Sequence, residues 1–213
     1  MANGIRFGDL HSYEDMNLIL SKVDLPPASV KTVYVDNPGG DGSWDLTEAT
    51  GRVNYKDRTA KFTFSVLPQD DFEAKKTEIS NLLNGRRFKI TLDKDPDYYW
   101  DGRCTVSGYS ANKKMRQIVV SATVAPYKLK QSQTKAAWTL STTEKTYALN
   151  NGRKPVCPTI TCTGQAKLIV DGKEFVFGAG THKNLDFILE EGRTLVKASG
   201  SGNVSIVYQE GDL

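Results

Sequence analysis

Lys61-Phe62-Thr63-Phe64-Ser65-Val66 decides the fold class. In an extended chain successive side chains point to opposite faces, so Phe62, Phe64 and Val66 share a dry face while Lys61, Thr63 and Ser65 face water. Outward from this strand the same two-residue period returns in Arg87 to Leu92, where Phe88, Ile90 and Leu92 alternate with Arg87, Lys89 and Thr91, and again around Ile118 to Val124. Gly, Asp and Asn punctuate these runs, which predicts antiparallel sheets with one packed and one solvated face. One segment breaks the pattern. From Asp71 to Asn84 the apolar residues Phe72, Ile79, Leu82 and Leu83 recur at helical spacing, so a helix is expected to dock its stripe on a sheet. Asp70, with Glu73 three positions on, is expected to cap its start, and Gly85 to stop it.

The chain has 213 residues, enough for one large domain or two modest ones that bury their own cores. A polar stretch with little to bury, Tyr127 to Ala137, predicts the boundary: a first domain over 1–128, a linker over 129–137 and a second domain over 138–213. Beyond it, Asp171-Gly172 between Ala166 to Val170 and Glu174 to Phe177 signals a tight hairpin. Asn150-Asn151-Gly152, Glu191-Gly192 and Ser199 to Gly202 read as turns between further short strands, so the second domain is an all-β sandwich.

Composition excludes most chemistry. Lys plus Arg number 28 against 25 Asp plus Glu, a net +3 too small and dispersed to argue for nucleic acid. No run of consecutive apolar residues exceeds three, which leaves no membrane span and no secretory core segment. Three cysteines, without a CxxC pair, predict neither a disulfide framework nor a zinc site and fit a reducing cytoplasm. With only His11 and His182, most hydrolase and metal constellations are starved. Asp93, Asp95 and Asp97 alternate like a calcium loop, but Tyr98 and Cys104 stand where that loop needs Gly and Glu, so a solvated turn is expected. Gly108-Tyr109-Ser110-Ala111-Asn112 is one residue short of a nucleophile elbow and lies at a strand tip. The reading is therefore a protein that is not an enzyme, with no cofactor and no metal. Lys113, Lys114 and Arg116 form a basic hairpin tip, and Trp138, Tyr147 and Phe177 are candidates for stacking on a sugar.

Several segments, taken in order, resemble the distal tail protein (Dit) family of long, non-contractile-tailed bacteriophages (siphophages) and their prophage relatives. They are Phe7-Gly8-Asp9 with His11 to Asp15, Lys31 to Val35, Pro38 to Thr47, Tyr55 to Arg58, Leu83-Asn84-Gly85, Leu92 to Tyr99, Gly102-Arg103 and Pro126-Tyr127-Lys128. A thinner likeness continues through Asn151-Gly152, Pro158 to Ile160, Gly180, Leu189 to Leu195 and Gly200 to Gly211, with Arg193 where the family often has Asn. The resemblance implies a mainly β chain: an N-terminal β-sandwich with one α-helix and an extended hairpin, then a galectin-like C-terminal β-sandwich. It implies a structural baseplate protein of the virion tail tip, synthesised in the bacterial host cytoplasm. Six copies would form a hexameric ring joining the tail-tube protein to the tail-tip protein. The tape measure protein, and then DNA as cargo, would pass its lumen, and a receptor-binding protein could attach to the C-terminal sandwiches. Ring contacts are expected in two excursions, Pro26 to Gly42 and Tyr109 to Arg116, with Pro38, Gly39, Gly42, Tyr109, Lys113, Lys114 and Arg116 as assembly residues. Asp45 and Arg58 are expected to pair and hold the fold. The alternatives are a carbohydrate-binding module acting through the C-terminal sandwich, and a tail-tube protein.

Overall fold

A computed structural model of the chain describes residues 4–111 and 115–213. It divides into two compact units, one ending at Lys128 and the other beginning at Leu129.

The first unit is built on β1 (Ile5–Phe7), β2 (Leu10–His11), β3 (Leu18–Asp24), β4 (Tyr34–Asp36), β5 (Ser43–Asp45), β6 (Arg58–Val66), α1 (Phe72–Leu83), β7 (Arg87–Leu92), β8 (Tyr98–Ala111) and β9 (Arg116–Val124). Seven of these strands pair in the order β2-β1-β7-β8-β9-β6-β3, every neighbour antiparallel. The alternation of Phe62, Phe64 and Val66 in β6 is matched across the ladder by Val120 and Ile118 in β9, so one face of the sheet is continuous and apolar. Although β1 and β6 stand near opposite ends of the strand order, the Phe7 ring meets Phe62 edge-on at 6.0 Å between centroids. The sheet therefore curls over its own core. Bulges at Leu20/Lys22 in β3 and Val106/Gly108 in β8 supply extra local twist.

Helix α1 closes part of this core with Ile79 and Leu83, both fully buried. Its N-cap is Asp71 rather than the expected Asp70: the Asp71 carboxylate accepts from the amides of Glu73 (2.9 Å) and Ala74 (3.4 Å). The first helical residue is Phe72, so the side chain able to reach the free amides is the one immediately before it. Gly85, at φ +75°, follows the C-cap Asn84 and ends the helix as expected.

The second unit comprises β10 (Lys128–Lys130, starting at the boundary), β11 (Thr134–Thr139), β12 (Lys145–Asn151), β13 (Thr159–Cys162), β14 (Ala166–Val170), β15 (Lys173–Phe177), β16 (Gly180–His182), β17 (Gly192–Gly200), β18 (Asn203–Tyr208) and β19 (Gly211–Asp212). Two four-stranded antiparallel sheets, β11-β18-β13-β16 and β12-β17-β14-β15, enclose a core that includes Leu149, Ile160, Leu168, Phe187, Val196, Val204 and Ile206. Asp171 (φ 49°) and Gly172 (φ 77°) both take positive φ between β14 and β15, the mirror-image turn that matches strand twist.

Two expectations change here. The stretch 129–137 is mostly strand, since β11 begins at Thr134 and pairs with β18 from Tyr208 to Asn203. Its alternate residues Ala136 and Trp138 pack on the core, and two inward positions suffice to hold an otherwise polar edge strand. Asn150 and Asn151 lie in β12 and not in a turn: the buried Asn151 amide donates to the carbonyls of Lys154 (2.8 Å) and Leu189 (2.9 Å). All three cysteines are free thiols, and burial pushes Cys104 up to about 12. No helix among the described residues is long and apolar enough to cross a membrane.

Candidate assembly surface

Between β3 and β6 the chain leaves the core and returns as an arm over residues 25–57. Backbone bonds zip its base, from the Lys31 amide to the Asn54 carbonyl and from the Lys56 amide to the Ser29 carbonyl, both at 2.8 Å, beside a Val30–Tyr55 bridge. Farther out, β4 and β5 pair Tyr34 with Asp45, Val35 with Trp44 and Asp36 with Ser43. The ladder continues one step towards the base, where the Leu46 amide donates to the Val33 carbonyl at 2.8 Å. A loop from Asn37 to Gly42 joins the strands, with Gly39 at φ 87° and Gly42 at φ 81°. Pro38, Gly39 and Gly42 therefore sit together at the arm's tip. The excursion read from the sequence as Pro26 to Gly42 is only its outgoing limb, and residues 43–57 bring it back.

Register makes this ribbon amphipathic. Residues directly opposite each other, and those two apart on one strand, share a face. Val33, Val35, Trp44 and Leu46 thus lie on one side, and Tyr34, Asp36, Ser43 and Asp45 on the other. The apolar face is uncovered: Trp44 is 57% exposed, Val33 48%, Leu46 44% and Val35 42%. An isolated two-stranded ribbon is marginal in water, and an open apolar face of this kind is a candidate interaction surface. The segment 33–48 carries Asp36, Asp41, Asp45 and Glu48 and no Lys or Arg, a charge of −4. Hydrogen bonds from the Thr47 hydroxyl and amide, with a smaller contribution from the Tyr34 hydroxyl, hold the Asp45 carboxyl below the usual carboxylate range, so this face stays anionic.

The arm is fixed at its root. Arg58, 7% exposed at the start of β6, donates to the Pro126 carbonyl at 2.5 Å and to the Pro26 carbonyl at 3.4 Å. Tyr55 meets the Tyr127 ring edge-on at 5.8 Å. Arg58 does not pair with Asp45, which lies out on the exposed ribbon bonded to Thr47. A guanidinium with five donors suits two backbone carbonyls at a crossing of segments better than a single distant carboxylate.

In the second excursion, at the end of the β8–β9 hairpin, Tyr109 and Arg116 are bonded to other parts of the first unit. The Tyr109 hydroxyl lies 2.5 Å from the Ser80 hydroxyl of α1, and Lys76 sits 4.9 Å over its ring. Arg116 donates to the Asp70 carbonyl at 2.8 Å and the Leu67 carbonyl at 2.7 Å, so its charge holds the loop leading into α1 and is not presented as part of a basic tip. Lys113 and Lys114 lie outside the described residues.

The proposed sugar-stacking residues are also committed within the fold. Trp138 and Tyr147 stack on each other, with centroids 4.2 Å apart and planes 14° from parallel, and join an edge strand of one sheet to an edge strand of the other. Phe177, 5% exposed, is core and packs beside Phe175 and His182, so it offers no open face. Both histidines have structural partners. The His11 Nδ1 accepts from the Glu14 amide (3.2 Å) while its Nε2 lies 3.0 Å from Asp93, and His182 bonds the Gly178 carbonyl at 2.9 Å. The turn carboxylates are used in the same way: Asp93 accepts from the Gly4 amide at 2.9 Å, and Asp95 pairs with Lys128 at 2.7 Å. Among the described residues no group of three or more His, Cys, Asp and Glu could hold a metal ion.

No family model matches the chain, and no curated protein matches it. Among solved structures it is similar to SPP1 Dit (gp 19.1), at a TM-score of 0.73 and 14% sequence identity, over 100% of both chains. That protein is described as a paradigm of the hub adsorption apparatus in phages infecting Gram-positive bacteria. The chain has the Dit fold. The likeness spans both units, so the mainly β architecture expected from the sequence resemblance holds along the whole length.

Proposed function

We propose that this chain is a structural Dit-type protein of a phage tail tip, in which copies assemble into a hexameric ring that joins the tail tube to the host-adsorption apparatus. The observation that carries the reading is the arm: an amphipathic ribbon with four apolar residues on one uncovered face, projecting from a chain that shares its fold end to end with a hub protein of a phage adsorption apparatus. A surface of this kind has no use within its own core and is suited to a neighbouring copy. A patch on one subunit that meets a different patch on the next builds a closed ring when the rotation between copies closes. Tail-tube, tail-tip and tape measure proteins, and a receptor-binding protein on the C-terminal sandwiches, are the partners this role calls for. DNA passes only as cargo.

Mass measurement in solution with negative-stain imaging, for the chain alone and mixed with the tube and tip proteins of its phage, tests the assignment. Six-fold rings support it. A monomer under every condition, with no annular particle in any mixture, refutes it. The carbohydrate reading gains no support from the geometry, because Phe177 is buried and Trp138 and Tyr147 cover one another.

A further inference from the structure

The solvated face of the first unit's sheet carries a cluster of charges that the assembly role does not use. Where β7, β8, β9 and β6 run side by side, Arg87 of β7 stands directly opposite Arg103 of β8, and Arg103 directly opposite Thr123 of β9. Two guanidiniums paired across a ladder repel. Asp101 relieves one of them, its carboxylate accepting from the Arg87 Nε at 2.7 Å and Nη2 at 2.9 Å. Arg103 has no such partner. A single bond from its Nη1 to the Gly85 carbonyl, at 2.6 Å, leaves the rest of its fork unused. On the far side of β9, Asp57 immediately precedes β6 and is exposed, with neither a hydrogen bond nor an ion pair to another described residue. Its charge still reaches the cluster: the hydrogen bond and charge of Asp101 raise the Arg87 pKa, and Asp57 adds a smaller push in the same direction.

Between these charges the floor is low. Val124 is buried in the core, so at this end β9 shows solvent only the short side chains of Thr123 and Ala125, with longer ones rising on both sides. The result is a hollow of about 400 Å³ whose walls include Asp57, Arg87, Asp101 and Arg103. That lies within the ~300–1,000 Å³ of small-molecule sites. Its two guanidiniums and two carboxylates cancel in sum but not in place: the unused cation stands on the β8 side and the unused anion on the β6 side. A purely anionic ligand is opposed by the carboxylates, and a purely cationic one by the guanidiniums. We propose that this hollow binds a small zwitterion, with a carboxylate or phosphate on the free donors of Arg103 and an ammonium group on Asp57. Neighbouring strands lie about 4.8 Å apart, so the β8 and β6 backbones are roughly 10 Å apart and a short aliphatic linker spans what the two side chains leave open. The guanidinium fork suits an anion with two oxygens side by side, and the Thr123 hydroxyl lies between the charged ends as a neutral partner.

Isothermal titration of the full chain with phosphoethanolamine and with β-alanine tests this, against ethyl phosphate, propionate and ethylamine, which carry one charge each. The better zwitterion is expected to bind at least about ten-fold more tightly than either of its one-charge counterparts, because each end adds a charge-assisted bond. Hydrogen exchange is expected to slow on binding across residues 101–105 and 122–125. Asp57→Asn is expected to abolish the preference for the zwitterion while thermal melting is kept, and Asp57→Lys to turn the preference towards ethyl phosphate. Arg103→Gln is expected to lose the anionic end. Since Arg103 also bonds the Gly85 carbonyl, Thr123→Arg, which fills the floor and leaves that bond alone, gives a second route to the same loss. No saturable heat with either zwitterion, equal binding of a zwitterion and its anionic half, or unchanged binding in the Asp57→Lys chain overturns the site. These readouts do not depend on ring formation, so their failure leaves the assembly reading standing.

Discussion

Replacing Arg58 with Met isolates what fixes the arm to the core. The aliphatic stem is kept, so packing changes little, while two donors are lost. The bond to the Pro126 carbonyl, at 2.5 Å, is short and charge-assisted, the class that contributes about 1.5–3 kcal/mol. The bond to the Pro26 carbonyl, at 3.4 Å, is near the limit of useful geometry, and Pro26 is exposed enough for water to replace it. Burial also depresses the Arg58 pKa, a sign that part of the bonding only offsets desolvation. The net loss is about 2 kcal/mol. For a unit of this size each kcal/mol moves the midpoint by roughly 3–5 °C, so calorimetry should place the first unit's transition roughly 6–10 °C lower and leave the second unit's transition where it was. Hydrogen exchange should quicken across residues 25–57. Arg58→Ala should fall by a further ~1–2 kcal/mol because the buried stem goes too. A midpoint within about 1 °C of wild type, with unchanged exchange in the arm, would show that the guanidinium is not the anchor.

Asp71→Ala should lower the first unit's stability by about 1 kcal/mol in denaturant titration through loss of the helix cap, whereas Asp70→Ala leaves that cap in place. Cys104 gives an alkaline test: its thiol ionises near 9 when unfolded and is pushed up to about 12 when folded, so its contribution is intact below pH 9 and is lost as pH climbs towards 12. Stability should fall by up to ~1.4 kcal/mol per pH unit over that window relative to a Cys104→Ala chain, read as the difference between their melting curves from pH 8 to 11. A double-mutant cycle on Trp138→Ala and Tyr147→Ala should return a coupling of about 0.5–1.5 kcal/mol, and neither single change should expose a glycan-binding face in a screen.

Strands were legible where burial alternates without interruption. Phe62, Phe64 and Val66 read as they fold because every second residue meets the same core, and Asp171-Gly172 reads as a turn because positive φ is needed at both positions. The same logic fails for Thr134–Thr139, where Ala136 and Trp138 alone face inward and the composition is that of a linker. It fails for Asn151 for the opposite reason, since a side chain that caps carbonyls far along the chain looks like a turn residue in sequence. The site was half visible. Pro38, Gly39 and Gly42 mark the tip, but Val33, Val35, Trp44 and Leu46 pass for ordinary core residues until the register sets them on one face with nothing above. A sequence signal was present: Val-Tyr-Val and Trp-Asp-Leu flank a Pro-Gly-Gly-Asp-Gly turn in a segment with four acids and no base. Arg116 and Tyr109 could not have been placed, because their partners, the carbonyls of Leu67 and Asp70 and the Ser80 hydroxyl, are tertiary.

The acids of the arm bear on a problem that any exposed apolar ribbon creates before it finds its partner. Val33, Val35, Trp44 and Leu46 would pair face to face with the same residues of another arm if hydrophobic contact alone decided the outcome. Two arms meeting in this way bring −4 against −4 at close range. The repulsive part of the arm's specificity is thus written into the arm itself. Salt should test this: screening at high ionic strength relieves the arm-to-arm repulsion, so light scattering should show more irregular association of the chain as salt rises.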